Sequence, residues 1–147
     1  MTRTRTAHHT ETLPSGARVV RTSVVAAPEL EWRLQAAAVR AVKAMPGFNR
    51  TFTLAADFNA GRRSPQESVK AAATGIAPGE PDLRLYLSDG RLRLIEYKGA
   101  KGRLSVEQVA RHGLLRLLGH VVAVIKAATP EDAAAQTLAT VGEWLAE

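Results

Sequence analysis

The sequence contains no cysteine, few aromatic residues and no long apolar run. The absence of cysteine excludes disulfides and thiolate metal sites, and it fits a cytoplasmic setting. Because no run of about 18 apolar residues occurs, we expect no membrane span. The N-terminal stretch MTRTRTAHHTET is basic and lacks the apolar core of a secretory signal. These absences favour a globular protein that acts away from membranes.

The main feature of the composition is an excess of positive charge. The 147 residues are enough for one domain with a buried core, and 46% of them are hydrophobic. Lysine and arginine (20) outnumber aspartate and glutamate (14), which gives a formal net charge of +6. A basic surface favours a polyanionic partner such as nucleic acid, although charge alone leaves that class open.

The side chains that could bind a metal ion or take part in catalysis are concentrated between residues 79 and 98. Two short apolar runs flank Ser88-Asp89-Gly90, a three-residue loop with glycine in its last position, which is typical of a β-hairpin. Pro81-Asp82 opens the first run and Glu96-Tyr97-Lys98 closes the second, so two carboxylates and a lysine meet at one end of the hairpin. Carboxylate oxygens suit Mg²⁺, and an adjacent ammonium can stabilise phosphate charge or orient an attacking water. This combination predicts metal-dependent phosphodiester cleavage.

Two registers of this hairpin are compatible with the sequence. If the loop consists of residues 88–90, Leu87 faces Arg91. Counting outward then places Asp82 directly opposite Glu96, where both carboxylates can reach one ion. Shifting the pairing by one residue aligns the leucines better but turns Asp82 to the other face of the sheet. We favour the first register, since aligned leucines discriminate little when helices cover both faces.

Periodicity and capping residues predict an α/β domain over residues 28–147, preceded by a basic arm over residues 1–27. The arm is expected to be flexible or to add an edge strand within residues 17–25. The domain is expected to contain helices over 28–44, 66–74, 105–118 and from 129 onward, and strands over 51–56, in the hairpin and over 121–125. A helix between the hairpin and the last strand makes those strands parallel. The expected fold is therefore a mixed four-stranded sheet flanked by helices.

Each long helix has an apolar stripe that we expect to pack on the sheet. The stripes consist of Leu30, Leu34, Ala38 and Val42; of Val109, Leu114, Leu117 and Leu118; and of Ala134, Leu138, Val141 and Leu145. The strand over 121–125 is apolar throughout, as in a strand buried on both faces. His112 and His120 have no partner at a metal-ligand spacing, so we interpret both as structural or solvent-facing.

Three motifs of this chain resemble those of a known nuclease family. Gly79-Glu80-Pro81-Asp82, Glu96-Tyr97-Lys98 and Ser105-Val106-Glu107-Gln108 are similar in type, order and spacing to the motifs of the PD-(D/E)xK nuclease superfamily, and within it to the VRR-NUC (virus-type replication-repair nuclease) domain. The similarity extends from about residue 29 to about residue 133. It implies a restriction-endonuclease-like αβββαβ core. Glu80 is a departure, because family members commonly have a small or apolar residue there.

The resemblance implies an active site built from all three motifs and from the first helix. Its catalytic residues would be Glu31, Asp82, Glu96, Lys98 and Gln108. Asp82, Glu96 and the backbone carbonyl of Tyr97 would bind Mg²⁺ or Mn²⁺. Glu31 would add a further acidic ligand, and Lys98 would position or activate the attacking water. The basic residues expected to bind the DNA backbone are Arg62, Arg63, Lys70, Lys101 and Arg103.

Two of these residues have alternative interpretations. Gln108 follows Ser105 at the spacing of a capping box, so its side chain can simply satisfy a backbone amide at the helix start. The resemblance instead points Gln108 at the active centre. Glu31 suits the first turn of a helix, where an acidic side chain interacts favourably with the helix dipole, as well as the implied metal site. Gln35, one turn later, would be a supporting donor.

The resemblance implies a DNA endonuclease of replication, recombination or repair in a bacterial or phage-infected cell. Small stand-alone members resemble Holliday-junction resolvases, so a homodimer acting on branched DNA is expected. One alternative is a nucleic-acid-binding module with the same fold that does not cut. Another keeps the chemistry but acts on flaps or single strands.

Overall fold

Within residues 4–26, 30–57 and 64–147, which the computed structural model describes, there are six strands and four helices. In chain order they are β1 (Thr4–Thr12), β2 (Arg18–Ala26), α1 (Glu31–Lys43), β3 (Phe52–Ala56), α2 (Pro65–Ala73), β4 (Leu83–Leu87), β5 (Leu92–Gly99), α3 (Val106–Leu117), β6 (Val121–Ala127) and α4 (Pro130–Ala146). None of the helices in these ranges is long and apolar enough to cross a membrane.

Four of the strands form one mixed sheet in the order β3-β4-β5-β6. β3 and β4 pair antiparallel, as do β4 and β5, whereas β5 and β6 pair parallel. The parallel pair follows from α3, which carries the chain from the end of β5 back to the start of β6. The predicted αβββαβ order and the four-stranded mixed α/β sheet are therefore confirmed.

The β4–β5 hairpin has the first of the two predicted registers. Leu83 pairs with Ile95, and Tyr86 pairs with Leu92. Gly90 adopts a φ of 87°, which glycine reaches without the strain that a side chain would add, and this allows the three-residue loop to close. In this register Asp82, just before β4, lies opposite Glu96. The loop therefore determines which residues meet at the far end of the hairpin.

The two faces of the sheet are covered by different helices. The larger core joins α1 and α4 to the sheet, and it consists of Ala38, Val42, Phe52, Leu83, Leu85, Leu87, Ile95, Tyr97, Ile125, Val141 and Trp144. On the opposite face Leu94 and Val122 pack against Leu115 of α3. Because side chains alternate along a strand, Glu96 and Lys98 share the α3 face with Leu94. Glu96 and Lys98 thus lie on the face of the sheet that α3 covers.

Residues 4–26 form a separate antiparallel hairpin of β1 and β2. A strand is present within residues 17–25, as predicted, and is β2, but the prediction that it lies at the edge of the sheet was wrong. Its partner β1 was not predicted, and neither strand extends the four-stranded sheet.

The apolar stripe predicted for the third helix was wrong. Its four members, Val109, Leu114, Leu117 and Leu118, are exposed. The residues of α3 that are buried are His112 and Leu115. The helix is therefore rotated relative to the prediction, because the part of the sheet beneath it includes polar side chains rather than a purely apolar surface.

The apolar stripes predicted for α1 and α4 agree only in part with the residues that are buried. Leu34, Ala38 and Val42 of α1 are buried, but Leu30 precedes the helix and is 43% exposed. The helix was predicted from residue 28, and Pro28 and Glu29 lie outside the described residues. In α4 the buried residues are Ala133, Thr137, Val141 and Trp144. In β6, Val122 is buried on the α3 face and Ile125 on the α1–α4 face, so the predicted burial on both faces holds except at Val121, which is exposed.

Candidate active site

The turn before β4 requires glycine at its first position. Gly79 has a φ of 78°, and a Cβ atom placed there would collide with the backbone carbonyl of Glu107 in α3. The backbone at Gly79 therefore packs directly against the first turn of α3. This contact joins the first sequence motif to the third.

Asp82 is held in place through both its side chain and its backbone. Its Oδ2 accepts a hydrogen bond of 2.8 Å from the backbone N–H of Tyr97. Its carbonyl oxygen accepts from the backbone N–H of Asp57 at 2.9 Å and from Nε2 of Gln35 at 3.3 Å. Gln35 thus supports the Asp82 backbone. Burial raises the pKa of Asp82 above its ordinary value, against the opposing effect of the Tyr97 hydrogen bond.

The backbone and the side chain of Tyr97 lie in different regions of the protein. Its N–H points toward Asp82, and the N–H and C=O of one strand residue point to the same side, so its carbonyl also faces the Asp82 edge. Its side chain lies in the opposite core, where the hydroxyl is 3.0 Å from Oγ1 of Thr137. The backbone of Tyr97 is therefore near the acidic residues, while its ring contributes to the core.

Glu96 is the most deeply buried carboxylate of the group, with 1% of its surface exposed. Its Oε1 accepts a hydrogen bond of 2.5 Å from Nε2 of Gln108 and lies 3.5 Å from Nζ of Lys98. Burial, reinforced by the carboxylate of Asp82, raises the pKa of Glu96 to about 7 despite the opposing ammonium of Lys98. A cation beside these two carboxylates would be favoured electrostatically.

Lys98 lies between two carboxylates from different elements. Its Nζ is 3.4 Å from Oε2 of Glu31, the first residue of α1, and 3.5 Å from Oε1 of Glu96. The lysine is buried, whereas the Glu31 side chain is about half exposed. The structure thus brings Glu31, Glu96 and Lys98 together, as the sequence predicted.

Both interpretations of Gln108 hold at once. Its Oε1 accepts from the backbone N–H of Ser105 at 2.9 Å, and its own backbone N–H donates to the Ser105 hydroxyl at 3.2 Å, which completes a capping box. Its Nε2 donates to Glu96. Because the cap uses the amide oxygen, the amide nitrogen is left to face the acidic site.

His112 lies beside Glu96, and of its two predicted interpretations the solvent-facing one was wrong because the ring is buried. The ring is fully buried, with Nε2 3.6 Å from Oε2 of Glu96. Burial lowers the pKa of His112 below its ordinary value. A sequence signal was present, since His112 follows Gln108 by four residues and so lies on the same face of α3.

Glu80, the extra carboxylate of the first motif, is engaged in ion pairs. Its Oε2 is 2.6 Å from Nε of Arg111 in α3, and its Oε1 is 3.9 Å from Nε of Arg84 in β4. These contacts link the turn to both neighbouring elements. Glu80 therefore has a structural role.

The residues predicted to bind DNA are only partly described. Lys70 is exposed on α2, and Lys101 and Arg103 are exposed in the loop that follows β5. Gly102 of this loop lies beside the Glu31 carboxylate, so the loop backbone borders the acidic residues. Arg62 and Arg63 lie outside the described residues.

The oxygens at this site suit a hard divalent cation. No group of three or more His, Cys, Asp or Glu side chains in the described part of the chain is arranged to hold a metal ion. The donors that converge are the carboxylates of Asp82 and Glu96 and the carbonyl side of Tyr97. Mg²⁺ is usually held by one or two carboxylates together with water and substrate phosphate, so this set fits such an ion.

No protein-family model, curated protein or solved structure matches the chain. The similarity to the VRR-NUC domain thus rests on the three sequence motifs and stays a prediction. What the structure adds is that residues of these motifs lie in one place, next to Glu31.

Proposed function

We propose that this chain is a Mg²⁺- or Mn²⁺-dependent DNA endonuclease that hydrolyses phosphodiester bonds in the cytoplasm. The observation that supports this most directly is the convergence of Asp82, Glu96 and Lys98 at one end of the β4–β5 hairpin. Two opposed carboxylates with a buried lysine beside them can hold a cation and present an ammonium to a phosphate. The net charge of +6 is consistent with a polyanionic substrate.

Asp82, Glu96 and the Tyr97 carbonyl would hold the metal ion, with Glu31 as a further acidic group. When bound, the ion would lower the pKa of a coordinated water and offset negative charge on the scissile phosphate. The hydrogen bond from Tyr97 to Asp82 and the bond from Gln108 to Glu96 keep the two carboxylates oriented. The protein thus orders these ligands before substrate arrives.

Lys98 would orient the attacking water and stabilise charge on the phosphate. Its ammonium is held between Glu31 and Glu96, so its position is determined by two carboxylates rather than by a free side chain. Because two carboxylates fix the position of this ammonium, we assign it electrostatic stabilisation and positioning.

The exposed basic residues would bind the DNA backbone. Lys101 and Arg103 follow the strand that carries Lys98, and Lys70 lies on α2. Contacts of this type are independent of sequence and weaken as salt rises. Arg62 and Arg63 remain proposed contacts on the sequence similarity alone. The same similarity supports a homodimer and branched DNA as the substrate.

The direct test is cleavage of labelled DNA by the purified protein. A four-way junction, a matched duplex and a single strand are incubated with Mg²⁺, Mn²⁺ or EDTA. Glu96→Gln and Lys98→Met are run in parallel, because both substitutions preserve volume and remove one charge. We expect metal-dependent cleavage that falls by about 10²–10³-fold in either variant, the scale of losing one preorganised charged group.

The outcomes separate the candidate functions. Paired nicks on the junction would favour a resolvase, whereas cleavage of the duplex or the single strand instead would keep the chemistry and discard the junction substrate. Tight DNA binding without cleavage in either metal would contradict the enzyme and favour a non-cleaving binding module.

A further inference from the structure

His112 faces the buried side of the Glu96 carboxylate. The ring is fully buried one helical turn after Gln108, and its Nε2 lies 3.6 Å from Oε2 of Glu96. Oε2 of Glu96 and both ring nitrogens of His112 are buried without a hydrogen-bond partner in the described part of the chain. Three buried polar atoms without partners next to a candidate catalytic carboxylate require an explanation.

The two oxygens of Glu96 have different surroundings. Oε1 faces the site, where Gln108 donates to it and Lys98 lies near it. Oε2 faces the interior and His112. The carboxylate therefore has one oxygen directed toward the proposed ion and one directed into the protein.

Other nearby cations are committed elsewhere. Arg111 forms its ion pair with Glu80 at 2.6 Å. Arg116 donates to the backbone carbonyl of Val122 at 3.0 Å. His112 is therefore the donor that the fold offers to Oε2. A movement of about 0.5 Å would bring Nε2 within hydrogen-bond distance.

We propose that His112 is a positioning residue for Glu96 and that its Nε2–H donates to Oε2. Together with Gln108 on Oε1, it would fix the rotation of the carboxylate so that Oε1 faces the metal ion. The inference rests on the metal site of the proposed function. Partners of this kind orient metal ligands, and losing one typically weakens metal binding or activity by about 10–100-fold.

A purely structural role for His112 predicts something different. If the ring only fills space beneath α3, a leucine of similar size should serve as well, and metal binding should not change. His112→Leu removes the donor, whereas His112→Gln keeps an amide Nε2 the same number of bonds from the backbone. Leu115→Ala is a matched control, since Leu115 is the other buried residue of α3 and packs on Leu94 and Val122.

The experiment measures Mn²⁺ binding by the electron paramagnetic resonance signal of free Mn²⁺, so it does not depend on cleavage. We expect His112→Leu to raise the Kd for Mn²⁺ by about 10–100-fold. We expect His112→Gln to stay within about threefold of the unmodified protein, because its donor is retained. Leu115→Ala should lower the melting temperature and leave the Kd unchanged.

Equal Mn²⁺ binding by His112→Leu and the unmodified protein would overturn the inference. The inference would also be overturned if, across the three variants, the loss of Mn²⁺ binding were proportional to the loss of stability. An unmodified protein that binds no Mn²⁺ would overturn the inference and the proposed function together. One that binds Mn²⁺ but does not cut DNA would overturn the nuclease alone, and weaker binding by His112→Leu would still support the role of His112.

If His112→Leu does not fold, His112→Asn replaces it, because its shorter amide cannot reach the Nε2 position. Weaker Mn²⁺ binding by His112→Asn than by His112→Gln would support the inference. Equal binding by these two variants would overturn it.

Discussion

The two faces of the four-stranded sheet are built differently, although they share the same strands. The face under α1 and α4 is a closed apolar core, in which Leu83, Leu85 and Ile95 are fully buried. The face under α3 instead contains Glu96 and Lys98. Alternating residues of β5 thus separate the apolar core from the charged side chains within one strand.

Polar atoms show the difference most clearly. In the apolar core Thr137 donates to the carbonyl of Ala133 at 2.7 Å, so the Tyr97 hydroxyl must be the donor to Thr137. Both hydroxyls are satisfied. Among the described residues, three buried polar atoms without a hydrogen-bond partner lie on the α3 face, in Glu96 and His112. The α4 side has one, Nε of Arg93, and the guanidinium of that residue pairs with Glu147. The α1–α4 face therefore supplies stability, and the α3 face holds charged groups whose burial costs stability.

The largest expected effect is a loss of stability caused by a substitution in the apolar face. Leu85→Ala should lower the free energy of unfolding by about 2–5 kcal/mol, because it removes a fully buried side chain and leaves a cavity. Urea denaturation measures the loss. Cleavage by the protein that remains folded should be nearly unchanged, and a comparable loss of cleavage would contradict the separation of the two faces.

A pH dependence of stability is expected from the polar face. Below pH 4.5 Glu96 is protonated in both the folded and the unfolded protein. Between pH 4.5 and about 7 the unfolded chain ionises while the folded protein keeps the proton, so stability falls by on the order of 3 kcal/mol. Above that range the loss is complete.

The measurement is urea denaturation in EDTA from pH 4.5 to 8, with Glu96→Gln as the control. His112 has the opposite effect, since its lowered pKa disfavours the folded state at acid pH, but it is present in both proteins. The difference in free energy of unfolding between them should therefore report Glu96. Parallel curves for the two proteins would show that Glu96 is not responsible.

A smaller effect on stability tests the same comparison within one residue, Tyr97. Tyr97→Phe removes the hydroxyl that donates to Thr137 and should lower the free energy of unfolding by about 1 kcal/mol. Its backbone, which faces Asp82, is unchanged, so the rate of DNA cleavage should be unchanged. Thermal denaturation and the cleavage assay test the two halves of this prediction, and a large loss of cleavage would contradict it.

Much of the fold could be predicted because its signals are local. The capping boxes at Ser64 and Ser105 mark helix starts, and the glycine loop at residues 88–90 sets the hairpin register. That register alone predicts Asp82 opposite Glu96. These features depend on residues a few positions apart, which the chain specifies without knowledge of its tertiary neighbours.

The rotation of α3 could not be predicted, because it depends on what lies across from the helix. Its sequence offers an apolar stripe with Val109 and Leu117, and a second face with Gln108 and His112. Periodicity favours the apolar stripe as the buried one. The structure buries the second face, because Glu96 in β5 is the group that this face must contact.

Local sequence patterns predicted the order of the elements from α1 to α4, the caps at Ser64, Ser105 and Thr129, the favoured hairpin register, and two carboxylates and a lysine at one hairpin end. The tertiary structure decided which helix faces meet the sheet, that Gln108 serves a cap and a carboxylate at once, and that His112 lies behind Glu96. The physical reason is the distance along the sequence between the residues that interact. Turns and caps are formed by neighbours in sequence, whereas the partner of a buried polar group is found only when distant elements pack together.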